Sequence, residues 1–321
     1  MTDRVVITGM GIVSPIGRGE RAVWDALYHG RSGARPVEGF DTSEFPRSIA
    51  CQVRDAVPVD PAMGRASALA VTAARDAVES ASLDVSAVGP ERLGVIVGTT
   101  MGETVFIEER LDHEDRDWLS SDHCRRIDAG RPGCIARHVQ ADLGATGMAM
   151  DLYGACAAGN IALATARRHL LEGRCDVILA GGADGFSRLA FIGFMRLRVM
   201  AAGVCRPFDK QRDGLLVGEG AVLFVLERES AARARGATLR AVVSGTGVTC
   251  ENYHPTRPHP DGDGLTRSAL EAMHDAGMKP DQIDYVCAHG TGTPQNDAIE
   301  VKVMQNCFPG GVAFSSVKAL T

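Results

Sequence analysis

The segment MAMDLYGACAAGNIALATARRHLLEG, Met148 to Gly173, constrains the fold more than any other stretch of the chain. A short apolar run, Met148 to Tyr153, reads as a buried strand, and the turn Gly154-Ala155-Cys156-Ala157-Ala158-Gly159 follows at once. Beyond the turn, Ile161, Ala162, Ala164, Ala166 and Leu170 recur at helical spacing with almost no bulk. Such a helix packs closely against other backbone on every side. Cys156 sits in the turn, where unpaired N–H groups and the helix dipole favour a thiolate. A strand, elbow and helix presenting one nucleophile is the logic of covalent acyl transfer. The same position also suits one more buried apolar cysteine, the usual role of a free thiol.

A chain of 321 residues holds one large or two ordinary domains. The formal net charge of −6 gives no support to a nucleic-acid or anionic-membrane partner. No apolar run approaches the length of a membrane span, and a strand from Arg4 to Thr8 leaves no room for a signal peptide. The nine cysteines are scattered with no C-x-x-C pair, which fits reduced thiols in a cytoplasm. His113, His123, Cys124, Cys134 and His138 match no metal-binding spacing, so no metal is expected. The glycines from Gly9 to Gly17 lack the third member of a dinucleotide fingerprint, and Pro15 falls where its helix should start.

In chain order the pattern predicts a short strand at Val5–Gly9, a Gly/Pro turn over Gly9–Gly17, and a helix over Glu20–His29. A loop from Arg31 to Pro61, a helix over Ala66–Leu83 and a strand over Arg92–Gly98 follow. Met101–Leu143 reads as a polar loop-and-helix excursion, Asp176–Gly182 as a strand, and Gly214–Glu227 as two strands hinged at Gly218 and Gly220. Apolar strands alternating with helices indicate an α/β protein with covered sheets. A second, weaker copy begins near Leu239: a strand to Gly247, a helix over Leu265–Ala276, and strands at Ile283–Ala288 and Val312–Val317. Ser67-Ala68-Leu69 and Ser268-Ala269-Leu270 occupy corresponding helices. The division expected is therefore 1–238 and 239–321.

His289 ends a predicted strand and opens His289-Gly290-Thr291-Gly292-Thr293-Pro294-Gln295-Asn296-Asp297, a flexible turn rich in hydroxyls. Taken together, GACAAG around Cys156, RPFDKQRDGLLVGEG from Arg206, HGTGTPQND from His289 and SSVKALT from Ser315 resemble the β-ketoacyl-acyl-carrier-protein synthases of fatty-acid and polyketide synthesis. The opening RVVITGMGIVSPIG and YHPTRPHPDGDG from Tyr253 fit as well.

The resemblance implies a thiolase-like αβαβα sandwich of two similar halves, paired as a homodimer or with a related subunit. It implies decarboxylative Claisen condensation, with Cys156 carrying the acyl group and its N–H forming part of an oxyanion site. His289 would polarise the malonyl thioester, and Lys318, Asp297 and Glu300 would support it. Thr291 and Thr293 would contact the phosphopantetheine arm, which arrives on an acyl carrier protein rather than residing on the chain. Ile107 would line the acyl tunnel across the dimer, and Arg125, Arg126, Arg131 and Arg137 are candidates for carrier docking.

The resemblance also implies a second histidine, in a Gly-His pair directly after a KALT-like segment, and a later Gly-Phe-Gly-type loop. The sequence ends at Thr321, so the second half is expected to be truncated. Leu215 stands where relatives often carry Phe. Two other readings stay open: a non-catalytic ketosynthase-like subunit that shapes a partner's tunnel, and a CoA-dependent thiolase-type enzyme.

Overall fold

The computed structural model describes residues 3–55, 57, 63–112, 130–254 and 257–321. Its contacts divide the chain into two compact units. The first comprises Met1–Ala26, Gln52–Ile192 and Gly218–Val243; the second comprises Leu27–Cys51, Gly193–Val217 and Ser244–Thr321.

The first unit is built on strands β1 (Val5–Ser14), β2 (Leu93–Thr99), β3 (Ala149–Tyr153), β4 (Val177–Asp184) and β5 (Gly220–Arg228). Their order in the sheet is β1-β5-β4-β2-β3, with Gly17–Arg18 and Ala241–Val242 both antiparallel to β1. β2 is parallel to β3 and β4, whereas β5 runs antiparallel to β1 and β4.

Alternate residues face opposite sides, as a pleat requires. Val95, Val97, Leu179, Leu223 and Val225 pack against α2 (Arg65–Ser80) and α4 (Cys134–Asp142). Ile96, Ile178, Ala180 and Leu226 meet Ala162, Ala166 and Leu170 of α5 (Ala158–Leu171) on the other face. Each fully buried side chain of this size contributes about 1.5–3 kcal/mol, so a sheet apolar on both faces holds only between two helical layers.

Two sequence expectations change here. β1 runs on through Gly9 and Gly11, where a turn was expected. A methyl group at those positions would lie 2.3 Å from the Ala77 carbonyl oxygen and 1.9 Å from that of Ala73, so α2 rests directly on strand backbone. Gly214–Glu227 yields one strand rather than two, because Leu215 forms only an isolated bridge with Met200.

The second unit holds α8 (Asp263–Ala276), β6 (Tyr285–Cys287), α9 (Pro294–Cys307) and β7 (Ala313–Ser315), with β6 and β7 parallel. Met273, Ile299, Val303 and Met304 form its core. The strand expected over Leu239–Gly247 is confined to Ala241–Val242, in the first unit's sheet. Gly245 and Gly247 nonetheless press on α8 as Gly9 and Gly11 press on α2. Added methyl groups would lie 2.4 Å from the Ala272 carbonyl oxygen and 2.0 Å from that of Ser268. The same Gly-x-Gly-on-helix contact thus occurs once in each unit. Between α2 and α8 in the chain lie α3 (Val105–Asp112), α6 (Arg188–Arg196) and α7 (Glu229–Ala234), and α1 (Glu20–Tyr28) precedes α2.

Candidate active site

Cys156 occupies a single helical turn, Ala155–Ala157, between β3 and α5. Ala155 is in the left-handed region at φ +48°, the sharp reversal that turns a strand directly into a helix. The helix start is held close to the sheet. A methyl group at Gly98 would lie 2.2 Å from the Ala158 carbonyl carbon, and one at Gly154 would meet Ile161 at 2.7 Å.

The thiol is exposed, which removes the buried-cysteine reading. By contrast Cys51, Cys134, Cys175, Cys205 and Cys307 are buried. Burial pushes the Cys51 and Cys205 thiols up to about 11 and that of Cys134 to about 12. Deprotonation of these three is suppressed at neutral pH, and with it nucleophilic reactivity. Ile107, on α3, is 52% exposed beside a buried Phe106.

The second unit assembles the loop after β6. Glu300, buried on α9, accepts the His289 N–H at 2.6 Å and the Gly290 N–H at 2.7 Å, and Asn296 Nδ2 adds a third bond at 2.9 Å. Asp297 accepts from the N–H of Gly292 at 3.2 Å and of Phe208 at 2.7 Å. Thr291 Oγ1 and Thr293 Oγ1 lie 2.9 Å apart, and Ser316 Oγ donates to the Gly290 carbonyl at 2.8 Å. Burial lowers the His289 pKa below its ordinary 6.5, and the positive charge of Lys318 lowers it further. The imidazole is therefore neutral at pH 7, with one N–H to donate and one nitrogen to accept.

His289, Thr291, Thr293, Asp297, Glu300 and Lys318 thus share one loop system, while Cys156 and Ile107 belong to the other unit. Phe208 escaped the sequence reading despite lying in the quoted RPFD motif. It adopts φ +64°, its N–H donates to Asp297, and its ring meets Phe314 edge-to-face at 5.0 Å. Asn296 was likewise missed although its i,i+4 spacing to Glu300 on α9 was there to read, and Ser316 was missed because its bonds to the His289 and Gly290 carbonyls follow from packing. The charges of Asp184 and Glu219 went unnoticed for the same reason. Glu219 accepts both guanidinium bonds of Arg65 together with the Val53 and Phe186 N–H groups.

Of the other histidines and cysteines considered, Cys134 is buried and His138 Nδ1 bonds Ser67 Oγ at 2.8 Å. His113, His123, Cys124, Arg125 and Arg126 lie outside the described residues. Among the described residues no group of His, Cys, Asp and Glu has a metal-binding arrangement, and no helix is long and apolar enough to cross a membrane.

Residues 2–232 match the family model described as beta-ketoacyl synthase, N-terminal domain, and residues 240–321 match that of its C-terminal domain. The 3-oxoacyl-[acyl-carrier-protein] synthase 2 of Coxiella burnetii is 34% identical, over 99% of this chain and 81% of that protein. The enzyme of the same name from Synechocystis is 32% identical, over 99% and 80%. Among solved structures, the ishigamide ketosynthase/chain length factor superposes with a TM-score of 0.92 at 37% identity, covering 100% of this chain and 81% of that one. A type II polyketide ketosynthase in complex with its acyl-carrier protein, bound to the hexaketide, gives 0.90 at 28% identity, over 100% and 82%.

Proposed function

The chain belongs to the β-ketoacyl synthase family, and on that premise we propose that Cys156 is the acyl-carrying nucleophile and His289 the group that activates the extender. It is a thiolase-like acyltransferase that elongates fatty-acid or polyketide chains by decarboxylative Claisen condensation. The observation that carries the assignment is the exposed thiol at a strand–helix elbow, in a chain whose other described thiols are mostly buried.

Cys156 Sγ, as thiolate, attacks the carbonyl of an acyl thioester brought on the phosphopantetheine arm of an acyl carrier protein. The carrier thiol leaves and takes up a proton, and the acyl group stays on sulfur. The N–H groups of the turn that leads into α5, that of Cys156 included, face the oxyanion. Malonyl-carrier protein then enters. Its carboxylate carbon–carbon bond breaks, CO2 departs, and the electron pair forms an enolate whose oxygen accepts the N–H of neutral His289. The enolate carbon attacks the acyl-Cys156 carbonyl, the carbon–sulfur bond breaks, and the thiolate is regenerated as the β-ketoacyl carrier leaves.

Lys318 keeps His289 in its neutral, donating form by raising the cost of a second positive charge. Asp297 and Glu300 hold the loop through its backbone N–H groups. The Thr291 and Thr293 hydroxyls bind the amides of the arm, a role that their 2.9 Å separation on one loop supports. The exposed Ile107 fits a tunnel completed by a second subunit, the same chain or a related one. We divide the thiolase-like halves at 238/239, and the scattered unpaired thiols fit a cytoplasmic setting.

One structural neighbour is a ketosynthase/chain length factor, which keeps the partner-subunit reading in view. Cys156 separates the two. Incubation with acyl-carrier protein followed by intact-mass measurement is expected to show one acyl adduct, lost in Cys156→Ala. An unmodified wild-type chain would leave the tunnel-shaping role.

A further inference from the structure

We propose that Asp184 is a positioning residue for Cys156, an inference that rests on Cys156 being the nucleophile. Asp184 closes β4, one strand removed from the elbow. Its carboxylate accepts the Thr99 hydroxyl at 2.7 Å, the Thr100 N–H at 2.9 Å and the Met101 N–H at 3.0 Å. Thr99 Oγ1 in turn accepts the Gly102 N–H at 3.0 Å. One side chain thereby folds the whole loop leaving β2.

That loop and the strand end it leaves bound the elbow on both sides. Thr99 pairs in register with Tyr153, the last strand residue before the turn. Gly102, at φ +64°, lies against the Tyr153 ring so closely that a methyl group there would be 2.9 Å from the hydroxyl oxygen. Gly98 abuts the backbone of Ala158 and Gly159, the first residues of α5. A shift of the Thr99–Gly102 backbone is thus passed to Tyr153 before Cys156 and, through the adjoining Gly98, to the start of α5 after it. Acyl transfer demands placement within fractions of an ångström, and a displacement of about 1 Å costs on the order of 100-fold. Alkylation by a small reagent makes no such demand.

The test compares Asp184→Asn and Thr99→Val with wild type, using acetyl- and octanoyl-acyl-carrier protein to follow acylation and iodoacetamide to follow thiol reactivity at Cys156. Acylation is expected to slow at least 10-fold while alkylation stays within about 3-fold. Leu179→Ala, a core variant of the same sheet, reports what loss of stability alone does. Unchanged acylation in both variants overturns the inference and leaves the nucleophile intact. So does parallel loss of both reactions, or an equal acylation loss in Leu179→Ala at matched Tm. No adduct on wild type overturns the nucleophile itself.

Discussion

Glu300 and His289 are joined through the backbone: one carboxylate oxygen takes the His289 N–H at 2.6 Å and the other takes the Gly290 N–H at 2.7 Å. The histidine is aimed from α9 rather than from its own strand. Glu300→Ala leaves both N–H groups without their acceptor, and the Gly290 group is buried. Each such loss costs about 1–3 kcal/mol. Urea denaturation is expected to show a total loss of about 2–4 kcal/mol, with condensation falling further than the unfolded fraction explains. A variant of wild-type stability and activity would refute this role.

His289 should titrate below 6.5, because burial first and Lys318 second disfavour its charged form. The sign for stability follows. The unfolded chain binds a proton first, so the contribution of the neutral ring is complete above 6.5 and declines as pH falls toward the folded value. Lys318→Met removes a positive neighbour, so the His289 midpoint is expected to move upward. The acid limb of the activity profile should move to higher pH with it. NMR titration of the ring, compared between the two proteins, checks the direction; an unmoved or lowered midpoint contradicts it.

How much of this was legible beforehand depended on whether the cause was local. The elbow at Cys156 and the loop at His289 were readable because strand, turn and helix signals sit side by side in the chain. β1 was cut short at Gly9 because a run of glycines in a sequence reads as a turn. Its real cause at Gly9 and Gly11 is a helix backbone brought from residues 73 and 77. Asp184 and Ser316 carried no sequence signal, since the bonds that define them span 83–85 and 26–27 residues. The paired strand at Ala241–Val242 was over-read into Gly247, as an apolar run does not state how far its partner extends.

Exposure should sort the thiols in a labelling experiment. Native protein treated with iodoacetamide and mapped by peptide mass is expected to carry label at Cys156, Cys250 and Cys287. Cys51, Cys134 and Cys205 should stay unlabelled until denaturant is added, since burial both blocks the reagent and holds each thiol near 11 or 12. Rapid native labelling at Cys134, held at about 12, would contradict the packing of α4.

The Arg65–Glu219 pair ties α2 to the segment before β5. Glu219 is 3% exposed at its side chain and receives the guanidinium at 2.9 Å. Removing the arginine strands a buried carboxylate, a change that costs about 3–5 kcal/mol in comparable pairs. Arg65→Ala is therefore expected to lower Tm markedly, and Arg65→Lys to recover only part, because an ammonium cannot span both oxygens. Glu219→Gln in the wild-type background leaves an acceptor for only one of the Val53 and Phe186 N–H groups, which bond opposite carboxylate oxygens, but it buries no unpaired charge and should cost less than Arg65→Ala. Differential scanning calorimetry of the three variants decides it. The reverse order, with Glu219→Gln the more damaging, would mean that the backbone N–H groups and not the arginine are what the carboxylate chiefly serves.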